Sequence, residues 1–408
     1  MSLIQPFAGL RPAPGRAAEV AAPPYDVLNT AEARRLVEGR PWSFLHISRA
    51  EVDLPEGADP YAPEVYAKAR ENFERLLTAG VLIRDPEPRY YVYRLIQGGH
   101  TQTGLVVSAS IADYEAGRIK RHELTRPSKE DDRVQQIQAL GAQTGPVLLV
   151  HRATPEIDRT LAGVAEQPPE IDITADDGVR HQLWSIVGVD LTDPLTQAFD
   201  RLDALYIADG HHRAAAAARV AAARWGAADP DGHQGFLAVS FPHDQLRILA
   251  YNRLVRDLNG LSVAAFLERV GERFTLEPCA DPVAPERPGV FGMYLQGVWY
   301  RLTPSAGLPP ATDPIAALDV SRLQGQLLGP ILGIQDPRRD ERIDFVGGSR
   351  GLSGLTRRVD AGEMALAFSL HPTPLQELMA VADRGEVMPP KSTWFEPKLA
   401  DGLVSLVL

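Results

Sequence analysis

The stretch LYIADGHHRAAAAARVAAAR (residues 205–224) constrains the fold more than any other segment. A four-residue apolar run leads to Asp209, Gly210 permits a tight turn, and the alanines beyond are the strongest helix formers. The segment predicts a strand, a turn and a helix N-terminus, with Asp209 as its N-cap. It also sets a problem. A helix start carries free N–H groups and partial positive charge, yet His211, His212 and Arg213 fill this first turn. Cations there cost a few tenths to about 1 kcal/mol each at an exposed site. A bound phosphate removes the conflict, because N–H groups, dipole and side chains then face one anion. Local packing of the two histidines, with Arg213 paired to an acid elsewhere, resolves it equally well. Metal ligation is a third answer, but adjacent helical residues point about 100° apart, unlike the i, i+4 histidines of a zinc helix.

The remaining pattern predicts an α/β to α+β chain, a mixed sheet with flanking helices. Thr30 can cap a helix over 30–39, and Val65, Ala69, Phe73, Leu76 and Leu77 form one apolar face of a helix over 61–79. RYYVYRLI (89–96) and TGLVVSASI (103–111) read as strands about a Gly98–Gly99 turn. Pro127, Ser128 and Asp131 suggest a helix start with a capping box, and Gly141 a stop. Further strands are expected at 144–151, 205–208, 236–241, 290–295 and 364–370, with helices near 261–270 and 374–384. The 34 glycines and 34 prolines are scattered as punctuation rather than gathered in a linker. Three consecutive parts are expected, 1–115, 116–260 and 261–408, or one compact unit.

A net charge of −11 disfavours charge-driven binding to nucleic acid or anionic membrane. The single cysteine, Cys279, forms no disulfide or thiolate cage within one chain. Residues 1–22 lack the apolar core of a signal peptide, and no 18-residue apolar run occurs, so a cytoplasmic location is expected. There is no P-loop, G-x-S-x-G, H-E-x-x-H or C-x-x-C motif. Two other clusters carry chemistry. RHELT (121–125) sets Arg121, His122 and Glu123 together, a general base or metal ligand among cations, or a solvated loop. Near the C-terminus, Lys391, Ser392 and Thr393 offer phosphate donors beside Trp394 and Phe395.

PFAGLRP (6–12), APPYDVL (22–28), FLHISR (44–49), RHELTRPSKEDDR (121–133), TGPVLL (144–149), YIADGHHR (206–213), ILAYNRLV (248–255), LGIQDPR (332–338), IDFVGG (343–348) and MPPKSTWFEPKL (388–399) follow one another along the chain. As a set they resemble a prokaryotic family known as DUF1015. That family is similar to the ParB-like free-serine kinases, which phosphorylate free L-serine from a nucleotide donor and share a D-G-H-H-R signature preceded by a catalytic glutamate. The resemblance implies a ParB/sulfiredoxin-like nucleotide-binding core elaborated by N- and C-terminal segments. It implies a small-molecule kinase using ATP or ADP with Mg²⁺ to phosphorylate serine or a similar hydroxylated metabolite. Asp209, Gly210, His211, His212 and Arg213 match the signature, and Glu123 is the candidate preceding base. On that assignment Asp209 holds Mg²⁺ or fixes a histidine, and His211 acts beside it. Gly210, His211, His212 and Arg213 hold phosphates, with Lys391, Ser392 and Thr393, and Arg121, His122 and Arg126 face the acceptor. A homodimer is compatible with these features. The alternatives are a nucleotide-binding switch or ParB-like regulator, and a metal-dependent phosphohydrolase built on Asp209, His211, His212, His122 and Glu123.

Overall fold

A computed structural model describes residues 2–225, 235–305 and 313–408. The chain divides into two units, Met1–Leu246 with Pro397–Leu408, and Arg247–Glu396. These differ from the three expected parts for a physical reason. His100–Ser110 and Gly235–Pro242 pair as neighbours in one sheet, so no boundary falls near residue 115. The chain end returns to the first unit, where Leu406 and Val407 pair with Gln143 and Ala142.

The first unit is built on a nine-stranded mixed sheet. Its order is Ile119–Lys120, Leu205–Asp209, Val147–His151, Gly235–Pro242, His100–Ser110, Tyr90–Gln97, Arg180–Ile186 and Ile171–Thr174, with Ile4–Gln5 also pairing with His100–Ser110. Two pairings are parallel, Leu205–Asp209 with Ile119–Lys120 and Gly235–Pro242 with Val147–His151. Gly235–Pro242 lies inside the sheet and is buried along its length, which accounts for its unbroken apolar run.

The alanine run forms the helix His211–Trp225. Ala214, Ala216, Ala217, Ala218 and Ala221 are all buried in the core, so their small size serves close packing as well as helix propensity. This helix packs on Pro127–Leu140, which in turn packs on Pro63–Thr78. Local details depart from expectation at three caps. Asn29 rather than Thr30 caps the helix Thr30–Val37, in a capping box with Glu32. Pro127–Leu140 starts at proline after Arg126, with no side-chain cap, and stops at left-handed Gly141. Gly210, not Asp209, takes the cap position of the alanine helix, its carbonyl accepting from the Ala214 N–H at 3.0 Å. On Pro63–Thr78, Asn72 joins the buried face and Leu77 turns outward.

The second unit holds a six-stranded sheet, antiparallel throughout. Its order is Phe274–Cys279, Val298–Pro304, Phe291–Leu295, Leu366–Leu370, Tyr251–Val255 and Ile343–Gly347. Helices Val263–Gly271, Gly351–Asp360 and Leu375–Asp383 accompany it. No helix among the described residues is long and apolar enough to cross a membrane.

Candidate functional site

Two motifs separated by 86 positions meet because of strand order. Leu205–Asp209 and Ile119–Lys120 run parallel side by side, so the segments after them leave the sheet at the same end. RHELT therefore arrives beside DGHHR, at the C-terminal ends of parallel strands where α/β sheets bind ligands. A register irregularity between Ile207 and Asp209, and a φ of +98° at Gly210, turn the chain sharply into the helix.

The two histidines part company as their 100° separation requires. His211 points inward, its ring edge-on to that of His122 with centroids 4.5 Å apart. Its Nε2 accepts a long bond from the His122 backbone N–H, 3.4 Å. His212 instead accepts the Arg126 backbone N–H on Nε2 at 3.0 Å, which leaves the proton of its neutral ring on Nδ1. Burial pushes both pKa values down, for His211 well below the usual range with help from His122, and for His212 against the pull of Glu130. His122 is lowered to about 4 by burial, opposed by the Ile207 carbonyl and Asp209. The imidazoles are thus neutral at pH 7, and the helix start carries one cation rather than three.

That cation, Arg213, is also accounted for. Its side chain is only 10% exposed, one Nη donates to the Pro146 carbonyl, and the other lies 3.7 Å from Asp209. Burial opposes its charge, but Asp209, Asp26, Tyr25 and Asp401 together hold the guanidinium protonated. A cavity of about 30 Å³ beside it, lined by Tyr25, Ser48, Arg133 and Asp401, is water-sized and not a substrate pocket. Asp401 is raised to about 7 there by burial, against the attraction of Arg213.

Asp209 faces cations on both oxygens, Lys398 Nζ at 3.3 Å on Oδ2 and Arg213 at 3.7 Å on Oδ1. Burial pushes its carboxyl up, but Lys398 and Arg213 outweigh it and hold it well below the carboxylate range. A carboxylate already paired with an ammonium and a guanidinium is a poor fit for Mg²⁺, which needs free oxygen donors. A different set has metal-ligand geometry: one ligand atom each from His122, Glu123 and His211 lie within 4.8 Å of one another.

Lys398 also lines a cavity of about 400 Å³ in the same unit. Ala22, Pro23, Pro24, Val27 and Leu28 of the APPYDVL motif form an apolar wall, and Asp177, His181 and Ser43 supply polar atoms. Size and lining suit a small ligand with a flat apolar face. The sequence pattern points to Lys391, Ser392 and Thr393 as phosphate donors and does not single out Lys398. The signal for Lys398 is nonlocal, since its partner Asp209 lies 189 positions away.

The other expected residues have different partners. Arg121 stacks over Tyr114 at 5.2 Å, and the exposed Arg126 contributes its backbone N–H to His212. Lys391, Ser392 and Thr393 belong to the second unit. There Lys391 sits over the Tyr251 ring at 5.6 Å, with a positive φ of 58°. The Ser392 hydroxyl donates to the Pro389 carbonyl at 2.6 Å, and Thr393 directly precedes the strand Trp394–Glu396.

Among solved structures, the chain is similar to "Free serine kinase in complex with AMP", at 15% identity and TM-score 0.33, covering 74% of this chain and 92% of that one. It is similar to "SbnI with C-terminal truncation from Staphylococcus aureus" at 12% identity and TM-score 0.37, covering 72% and 84%. A "Conserved hypothetical protein from Pyrococcus furiosus" matches at 15% identity and TM-score 0.32, covering 73% and 94%. No curated protein matches the chain. The model of the family described as "Protein of unknown function (DUF1015)" matches residues 4–321, and the chain belongs to that family.

Proposed function

We propose that the chain is a small-molecule kinase that transfers a phosphoryl group from ATP or ADP to the hydroxyl of free L-serine or a similar metabolite. The observation that carries this reading is the double position of Lys398, which lines the 400 Å³ cavity and pairs with Asp209 at the helix start. A nucleoside in the cavity would place its phosphates against Lys398 and the N–H groups of the alanine helix. His212 Nδ1–H and Gly210, which lets the backbone approach closely, suit the same anion.

Phosphoryl transfer asks the protein for positioning and charge neutralisation rather than covalent chemistry. The acceptor oxygen attacks the terminal phosphorus, the bond to the departing ADP or AMP breaks, and the hydroxyl proton passes to a carboxylate. Glu123 is our candidate for that last role, and its nearness to His211 at the helix start supports it. The pairing of Asp209 with Lys398 and Arg213 then holds both cations beside the helix start before the donor arrives.

The test is nucleotide-dependent thermal stabilisation with Mg²⁺ present, followed by serine-dependent release of ADP or AMP. Arg213→Ala is expected to lose stabilisation, whereas Glu123→Gln keeps it and loses turnover. Absence of stabilisation by ATP and ADP, together with no product from any small hydroxylated acceptor, would overturn the reading.

A further inference from the structure

We propose that His122, Glu123 and His211 form a binding site for one divalent transition metal ion of the zinc class. Neither His212 nor Asp209 takes part: the first is turned toward Arg126 and the second is paired with Lys398 and Arg213. The proposal stands on the geometry of these three side chains and does not depend on the kinase reading.

Three observations converge. The ligand atoms lie within 4.8 Å of one another. Donors around one tetrahedral ion at about 2.1 Å sit roughly 3.4 Å apart, so closure needs rotations on the order of an ångström. The second observation is the His122 ring itself. It is 3% exposed, and its Nδ1 has no hydrogen-bond partner among the described residues. That buried ring nitrogen is open to an ion. An orphaned buried acceptor otherwise costs about 1–3 kcal/mol.

The third observation is His211, 4% exposed, whose Nε2 lone pair faces the same loop and is met among the described residues by a long 3.4 Å contact from the His122 N–H. Two imidazole nitrogens and one carboxylate select a borderline ion such as Zn²⁺, Mn²⁺ or Co²⁺ over Mg²⁺, which prefers oxygen. Three protein ligands leave a coordination position open, the pattern of catalytic rather than structural sites. One carboxylate oxygen of Glu123 on the ion leaves the other able to accept a proton.

The experiment uses the full chain, stripped with chelator and titrated with Co²⁺ and Zn²⁺ separately. Binding is read by calorimetry, by the visible spectrum of the Co²⁺ form, and by elemental content after gel filtration. One equivalent per chain is expected, with a visible band reporting fewer than six ligands. His122→Ala and His211→Ala should each weaken binding by at least about tenfold, while His212→Ala retains it. Each variant is first checked for cooperative thermal unfolding, and His122→Gln serves where alanine fails to fold. Absence of stoichiometric binding, or equal affinity in His122→Ala or His122→Gln, would overturn the site. Loss of nucleotide stabilisation with intact metal binding would count against the kinase reading alone.

Discussion

Replacing Gly210 with alanine tests the whole construction of the helix start. At a φ of +98°, an L side chain is strained whatever space surrounds it. That strain costs about 1–2 kcal/mol. The new Cβ would also lie 2.9 Å from Arg213 Nε and 3.0 Å from Cζ, closer than van der Waals contact allows. The guanidinium must move, and it is held by the Pro146 carbonyl and Asp209. Weakening a hydrogen bond of this charged kind costs about 1.5–3 kcal/mol. The sum is roughly 2.5–5 kcal/mol, or a drop in Tm of roughly 5–20 °C for a unit of this size.

Gly117→Ala separates the two contributions. Gly117 has a φ of +79° and open space for 4 Å around the point a Cβ would occupy, so alanine there carries backbone strain alone. Urea titrations of both variants should show Gly210→Ala to be the more costly by at least about 1.5 kcal/mol. Only Gly210→Ala should also lose nucleotide stabilisation. In an Arg213→Ala background the excess should vanish, since the clashing group is gone. Equal costs at the two glycines, or an excess that survives removal of Arg213, would refute the assignment of Arg213 as the clamped group.

Lys398→Met tests the bridge between cavity and helix start: it should weaken ATP or ADP binding by about 10- to 150-fold, the loss of one charged hydrogen bond of about 1.5–3 kcal/mol. Calorimetry decides, and unchanged affinity would detach the cavity from the site. Acid sensitivity has a source away from the site in His151, fully buried with Nδ1 on Ser240 Oγ at 2.8 Å. Burial, aided by His243, lowers it to about 3. Because the unfolded chain takes up this proton near pH 6.5, its stabilising contribution is complete above that pH and falls as pH drops toward 3, by up to about 1.4 kcal/mol per pH unit. His151→Leu should flatten the slope of unfolding free energy between pH 6.5 and 4, and parallel slopes in the two proteins would refute this.

Where an element depends on its own few residues, the sequence shows it. The strand, turn and helix of LYIADGHHRAAAA follow from local propensity, and so do the hairpin about Gly98–Gly99 and the stop at Gly141. Local reading failed where two neighbours compete for one job. Asn29 took the cap from Thr30, and Gly210 took the position expected of Asp209, which left that carboxylate to its cations. Sheet order lay beyond reach, because Val147–His151 and Gly235–Pro242 sort themselves by burial across the whole unit.

The candidate site shows the same division on a smaller scale. His211, His212 and Arg213 look alike in sequence, as three groups of one charge in one turn. One helical step of rotation sends each to a different partner: His211 to His122, His212 to the Arg126 N–H, and Arg213 to Asp209 and Pro146. The charge conflict that made the motif conspicuous is thereby dissolved by burial and pairing before any ligand binds. An anion is not needed to hold this helix start together. Its attraction must come instead from the N–H groups of the first turn and from the cations fixed on Asp209, one of which, Lys398, belongs to a part of the chain that no local pattern links to the motif.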